Sequence, residues 1–266
     1  MHLFCRIQGS GPPILLIHGS MVDADFFFGL SAYLRNSYQV ITYDRRGYSR
    51  SDPAEDCSIP AQVNDAEVIL RQAAQGQAVV VGCSLGALIA MRLAANHPEL
   101  VSPLFLHEPP LLCFPDILAP EEGEDWRDMK ALVQAGRYRK AMYRFLTMTG
   151  RNPDPRAKAY SAVELDQLMR NGAFFMEREF LSNFFADETF YGIPALQQRP
   201  NTYCLAGDSS GGSYTAQAAA RLADRAGCPL VYVPGGHNGA RDLPREFAAM
   251  LLGLLSMTDF DKSSSV

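Results

Sequence analysis

Along this chain, short and almost unbroken apolar runs alternate with longer stretches of helical period. The runs are residues 13–19 (PILLIHG), 38–44 (YQVITYD), 78–82 (AVVVG), 101–108 (VSPLFLHE), 201–207 (NTYCLAG) and 229–235 (PLVYVPG). Most are bounded by Gly or Pro, are rich in Val, Ile, Leu and Tyr, and lack the in–out alternation of a half-exposed strand. That is the signature of parallel strands covered on both faces. Between them, residues 25–36, 61–75, 85–96, 214–226 and 244–257 read as helices, the last opening on Pro244 as a first-turn proline would. Strand–helix alternation of this kind predicts an α/β fold with a doubly wound, mostly parallel sheet.

The alternation stops between Pro109 and Pro200. The stretch EEGEDWRDMKALVQAGRYRKAMYRFLTMTG is helical in composition, with Gly150 and Pro153 as a break, and SAVELDQLMRNGAFFMEREFLSNFFADETF is spaced for one or two more helices. It holds the single tryptophan, Trp126, together with Phe145, Phe174, Phe175, Phe180, Phe184 and Phe185. Such an insertion is expected to sit over the strand ends, its aromatics packing helix on helix and a few lining a pocket. The expected division is a core of residues 1–110 and 195–258, a helical cap of 111–194 and a flexible polar tail of 259–266.

Composition narrows the partners. A chain of 266 residues with 47% apolar content can bury one large core. A net charge of -5 and a pI near 5.6, with no basic cluster, predict neither a nucleic-acid nor a membrane partner. The N-terminal MHLFCRIQGSG is broken by glycine too soon for a signal peptide, and no run reaches the ~18 apolar residues of a membrane span. A cytoplasmic protein acting on a small molecule is the expectation. The cysteines, Cys5, Cys57, Cys83, Cys113, Cys204 and Cys228, form no Cys-x-x-Cys pair and have no histidine at zinc spacing. They are expected to be reduced thiols, and no metal or organic cofactor is implied.

The candidate chemistry centres on Gly82-Cys83-Ser84-Leu85-Gly86, a G-x-S-x-G pentapeptide between a strand and a helix. That context is what the motif needs to present its serine as a nucleophile. A serine hydroxyl needs a base. Of the five histidines, His2 is terminal, His18 precedes the serine, His97 ends a helix and His107 is the penultimate residue of a buried strand. His237, in the glycine loop VPGGHNG after the last apolar run, remains. Acyl transfer also needs donors for the developing oxyanion. The backbone N–H of Leu85 supplies one, and that of Ser20 or Met21, in the loop after ILLIHG, the other.

Together LLIHGS (15–20), YDRRGYSRSD (43–52), VVVGCSLGA (79–87) and VPGGHNG (233–239) resemble the α/β-hydrolase superfamily over most of the chain outside the cap. The resemblance implies a helical cap inserted after strand 6 in that fold's strand order, here after the run 101–108. It also implies that Asp44-Arg45-Arg46-Gly47 is a structural turn. The family's triad acid usually stands three residues beyond the glycine that ends TYCLAG, and that slot is Ser210. Two carboxylates remain as candidates. Asp208 lies two residues early, about 6–7 Å along an extended chain. Glu108 ends the preceding strand, stiffened by Pro109 and Pro110, and some members of the family take their acid from that position. The expected function is a serine hydrolase cleaving a small to medium, largely apolar ester, lactone or related acyl substrate. The alternatives are C–C bond hydrolysis, lyase or perhydrolase chemistry on the same fold, or a non-catalytic ligand-binding member.

Overall fold

The computed structural model describes residues 1–74, 76–117, 120–149, 156 and 159–258, so the expected tail at 259–266 falls outside the described residues. Seven strands form one sheet in the order β1-β3-β2-β4-β5-β6-β7. They are β1 (Cys5–Gln8), β2 (Pro13–Ile17), β3 (Gln39–Tyr43), β4 (Ala78–Cys83), β5 (Val101–His107), β6 (Thr202–Gly207) and β7 (Leu230–Val233). Only β1 runs antiparallel, paired to β3. Its four residues alternate between exposed and half-buried, so no apolar run announces it. The six runs read from the sequence are the six parallel strands, each within a few residues of its expected bounds.

The unbroken hydrophobicity of those strands has a plain cause. Leu15, Ile17, Ile41 and Val80 face one layer, which holds α2 (Ile59–Ala73) and α3 (Leu85–Asn96). Their neighbours Ile14, Leu16, Val40, Val79 and Val81 face the other, with α1 (Phe28–Leu34) and α12 (Pro244–Ser256). Alternate side chains point to opposite faces, and both faces are dry. Helix starts follow local capping. Ser58 accepts from Ala61 N–H, so α2 begins at Ile59, two residues before the expected 61. Asp23 caps a 3-10 turn, Ala24–Phe27, which leads into α1, so the expected helix 25–36 is a composite ending at Leu34.

After β5 the chain leaves the sheet and returns to it at β6. The excursion contains α4 (Pro120–Gln134), α5 (Tyr138–Thr149), α6 (Ala162–Phe174), a π-helical turn (Phe175–Glu179), α7 (Phe180–Asn183), α8 (Glu188–Tyr191) and α9 (Ile193–Leu196). Trp126 stacks on Phe180 and Phe184 with ring centroids 5.8 and 5.7 Å away. Phe175 and Phe145 complete that cluster, so these aromatics form helix–helix core. Helices α10 (Tyr214–Ala226) and α11 (Gly239–Asp242) finish the core. No helix among the described residues is long and apolar enough to cross a membrane.

Candidate active site

Ser84 occupies the turn between β4 and α3 with φ 54° and ψ -124°, a strained conformation for a residue with a side chain. The flanking glycines are forced by contact. A Cβ on Gly82 would lie 2.4 Å from the Gly86 carbonyl oxygen, and one on Gly86 would lie 2.1 Å from that of Ile17. The turn therefore closes only with glycine two places either side of Ser84, which lifts the hydroxyl above the sheet edge. Leu85 begins α3, so its N–H has no intrahelical acceptor and stands free for a ligand. Gly19 brings the loop after β2 against the nucleophile: a Cβ there would sit 2.9 Å from the Ser84 Cβ.

That loop is held by His18 and Arg45. The Arg45 N–H donates to His18 Nε2 at 3.0 Å, which leaves the ring proton on Nδ1 to donate to the Gly19 carbonyl at 2.9 Å. Burial, with the Arg45 charge adding, keeps the His18 ring neutral far below its ordinary titration. His18 is thus an internal strut.

His237 lies four residues past the end of β7, in a loop that opens the way to α11. Its Nδ1 is 2.7 Å from Glu108 Oε2. Glu108, fully buried and in a left-handed conformation with φ 46°, directly follows β5. Its Oε1 accepts from the Gly207 N–H at 2.9 Å and from the Ser210 hydroxyl, while Oε2 also accepts from Thr215 Oγ1 at 2.9 Å. Burial by itself would raise this carboxyl. The hydrogen bond and charge of His237 outweigh it, with His107 and Ser210 adding, and hold it well below the usual carboxylate range. The group is an ionised acceptor throughout the neutral range.

The other carboxylate points elsewhere. Asp208 accepts from the Gly235 N–H at 3.0 Å and from Ser209 Oγ at 2.8 Å, and pairs with Arg156 at 3.2 Å. Its side chain is about half exposed (49%). The structure brings Glu108, not Asp208, to the imidazole. Ser210, in the slot where the resemblance expects an acid, donates its hydroxyl to the Glu108 carboxylate at the end of the neighbouring strand. Thr215, in the first turn of α10, escaped notice in the sequence; its only signal there was a hydroxyl one turn into the helix after GDSSGG. Beneath the pair, the His107 ring stacks on His237 with centroids 6.3 Å apart, and its backbone carbonyl accepts from the Ser84 N–H at 2.9 Å. Ser84, His237 and Glu108 thus meet at the end of β5. Burial lowers the His107 pKa to about 4 against the pull of Glu108, so its ring is neutral.

A cleft of about 290 Å³ opens between the loop after β2 and α6, lined by Met21, Phe26, Arg50, Leu168, Asn171 and Arg241; Ser84, His237 and Glu108 are not among its walls. Among the described residues no group of three or more His, Cys, Asp or Glu side chains is placed to hold a metal ion.

A strained serine at a strand–helix turn, set at the carboxyl edge of a parallel sheet, places the chain in one family. The family model of the alpha/beta hydrolase fold matches residues 12–239, and the protein belongs to that family of hydrolases. It is similar to a protein of Bacillus subtilis (strain 168) named "Uncharacterized hydrolase YraK", 31% identical over 259 residues, or 94% of this chain and 91% of that one. Two solved structures share the fold at lower identity. Est816, described as an N-acyl homoserine lactone degrading enzyme, superposes with a TM-score of 0.73 at 22% identity, covering 94% of this chain and 96% of its own. A bromoperoxidase from Bacillus anthracis gives 0.74 at 18%, covering 96% and 95%.

Proposed function

We propose that this protein is a serine hydrolase of small to medium, largely apolar esters, lactones or related acyl substrates. The observation that carries the reading is the 2.7 Å contact between His237 Nδ1 and a buried, ionised Glu108, beside a serine held in nucleophile geometry. In this reading Ser84 Oγ attacks the substrate carbonyl while His237 Nε2 takes its proton. Glu108 keeps the imidazole in the Nδ1–H tautomer and stabilises the imidazolium. The N–H groups of Leu85 and Ser20 hold the oxyanion. The leaving group takes the proton back from His237, and water, activated by the same ring, releases the acyl group from Ser84. Residues 111–194 act as a cap, and the cleft at its edge sets Met21, Phe26 and Leu168 beside the charged Asp23, Asp25, Arg50, Glu164 and Arg241, which suits a substrate that joins an apolar body to polar groups.

Both solved-structure neighbours leave the substrate open, because at their identities they share the fold alone, and fold does not fix chemistry. The deciding experiment is labelling with a fluorophosphonate probe. Wild type should label with one equivalent and Ser84→Ala should not label. Equal labelling of the two, or none in wild type, removes Ser84 from the role.

A further inference from the structure

The turn Asp44-Arg45-Arg46-Gly47 and the middle of the cap meet in a buried ion pair that lies outside the triad. Arg45 and Glu179 are both fully buried, and the guanidinium meets the carboxylate through two bonds, Nη1 to Oε1 at 2.6 Å and Nη2 to Oε2 at 3.2 Å. Glu179 also accepts from Tyr48 Oη at 2.5 Å and from Gln62 Nε2 at 3.0 Å. It is the last residue of the π-helical turn, and such turns commonly mark functional positions. Ion pairs removed from water are expensive, so one that spans two parts of a fold calls for a reason.

Its reach supplies that reason. Arg45 Nη2 also donates to the Gly19 carbonyl oxygen at 3.0 Å, the atom His18 Nδ1 holds from another side. The Gly19 carbonyl and the Ser20 N–H belong to one planar peptide and point in opposite directions. Fixing the oxygen therefore fixes where that N–H points. On the far side of Ser20, Met21 is held in the left-handed region at φ 68°. The Tyr48 ring packs edge-on against His18 and Phe174, with centroids 5.3 and 5.1 Å apart. Helix α6 closes on the same loop: a Cβ on Gly172 would lie 2.6 Å from Met21 Cε.

We infer that Glu179, acting through Arg45 on the Gly19 carbonyl and through Tyr48, whose ring packs on His18, is a positioning residue that aims the Ser20 N–H into the oxyanion hole. The cap thereby contributes to oxyanion stabilisation without touching the oxyanion. The inference rests on the proposed serine-hydrolase reading. It also assigns the second oxyanion donor to Ser20, because the Gly19–Ser20 peptide is the one whose oxygen His18 and Arg45 hold.

The test uses Tyr48→Phe, which keeps the ring and loses only the hydroxyl, with Glu179→Gln beside it. Active sites are counted by complete fluorophosphonate titration. Removing one oxyanion donor outright costs about 10²–10³ in kcat, so a misaimed donor should cost roughly ten- to a hundredfold, with KM within about threefold of wild type. Affinity for a trifluoromethyl ketone, which adds Ser84 Oγ to its carbonyl to form an oxyanion, should fall by the same factor as kcat/KM. The pH profile of kcat/KM should keep its inflection. A merely structural role would instead lower Tm and yield while leaving kcat per titrated site intact. If Glu179→Gln does not fold, Tyr48→Phe decides alone. Wild-type kcat per site and undiminished ketone affinity in Tyr48→Phe overturn the clamp but leave the nucleophile in place. Labelling of Ser84→Ala overturns both.

Discussion

Replacing Glu108 by glutamine isolates the acid with almost no change of volume. The wild-type carboxylate divides its work: Oε1 serves the Gly207 N–H and Ser210, and Oε2 serves Thr215 and His237. Hydroxyl donors can turn into acceptors, but a backbone N–H cannot. Gly207 therefore draws the glutamine oxygen to the Oε1 side and leaves the amide NH₂ facing His237 Nδ1. The ring must then carry its proton on Nε2, the atom that should receive the one from Ser84. The opposite flip restores the tautomer but sets NH₂ against the Gly207 N–H, about 1–3 kcal/mol for a buried unpaired donor. It also lacks the charge that supports the imidazolium, about a further 1.5–3 kcal/mol for a charge-assisted bond. Together these give about 3–6 kcal/mol on the barrier, or roughly 10²–10⁴ in kcat. The wrong-tautomer substitution in another serine hydrolase falls at the top of that range, about 10⁴. Asp208→Asn, changing a half-exposed carboxylate that Arg156 and Ser209 already engage, should stay within about threefold. The assay is kcat on an activated aryl ester, normalised to titrated sites. A Glu108→Gln enzyme within tenfold of wild type, or an Asp208→Asn enzyme falling as far as Glu108→Gln, refutes the assignment.

Two further outcomes follow from packing and charge. The His107 ring is neutral when folded until about pH 4, whereas the unfolded ring takes its proton below about 6.5. The folded value is the depressed one, so its stability contribution is complete above pH 6.5 and is lost as pH falls, about 3 kcal/mol by pH 4. Urea unfolding at pH 7 and pH 4 should register that loss, and His107→Phe should shrink it; an unchanged pH slope in the variant contradicts the reading. Gly86→Ala drives a methyl to 2.1 Å from the Ile17 carbonyl oxygen, where backbone must move, so about 3 kcal/mol or more and a Tm drop of about 10 °C are expected. Gly253→Ala meets nothing within 4 Å in an exposed stretch of α12 and should hold or raise Tm in the same scan.

The parallel sheet, its order of strands and helices, and the positions of Ser84 and His237 were legible because they depend on local rules: unbroken apolar runs, glycine spacing and a strand–turn–helix context. The edge strand β1 was not, since four residues, two exposed and two half-buried, are too few and too polar to form an apolar run. The carboxylate that faces His237 was only narrowed to two, because the choice depends on where the ends of β5 and β6 meet the loop of His237, and nothing local to Glu108 or Asp208 encodes that meeting. The Arg45–Glu179 pair joins positions 134 residues apart. Arg45 was read as part of a turn, and Glu179 was not singled out. The one hint was a glutamate at a position of its helix that the packing of Phe175 and Phe180 makes interior.

In the proposed triad the carboxylate stands at the end of β5 rather than β6, and that changes which parts of the chain are free to vary. Glu108 is followed at once by Pro109-Pro110 and then by the whole inserted region. A chimera that exchanges that region for another must make its upstream joint after Pro110, or it carries the acid away with the graft. The loop of residues 208–213 keeps the Ser210 hydroxyl in place, ties Asp208 and Ser209 to Gly235 and caps α10 with Ser213, which leaves Gly211-Gly212, where an added Cβ would meet nothing within 4 Å, as its open point. There a designer could lengthen the chain or attach a tether with the catalytic groups undisturbed.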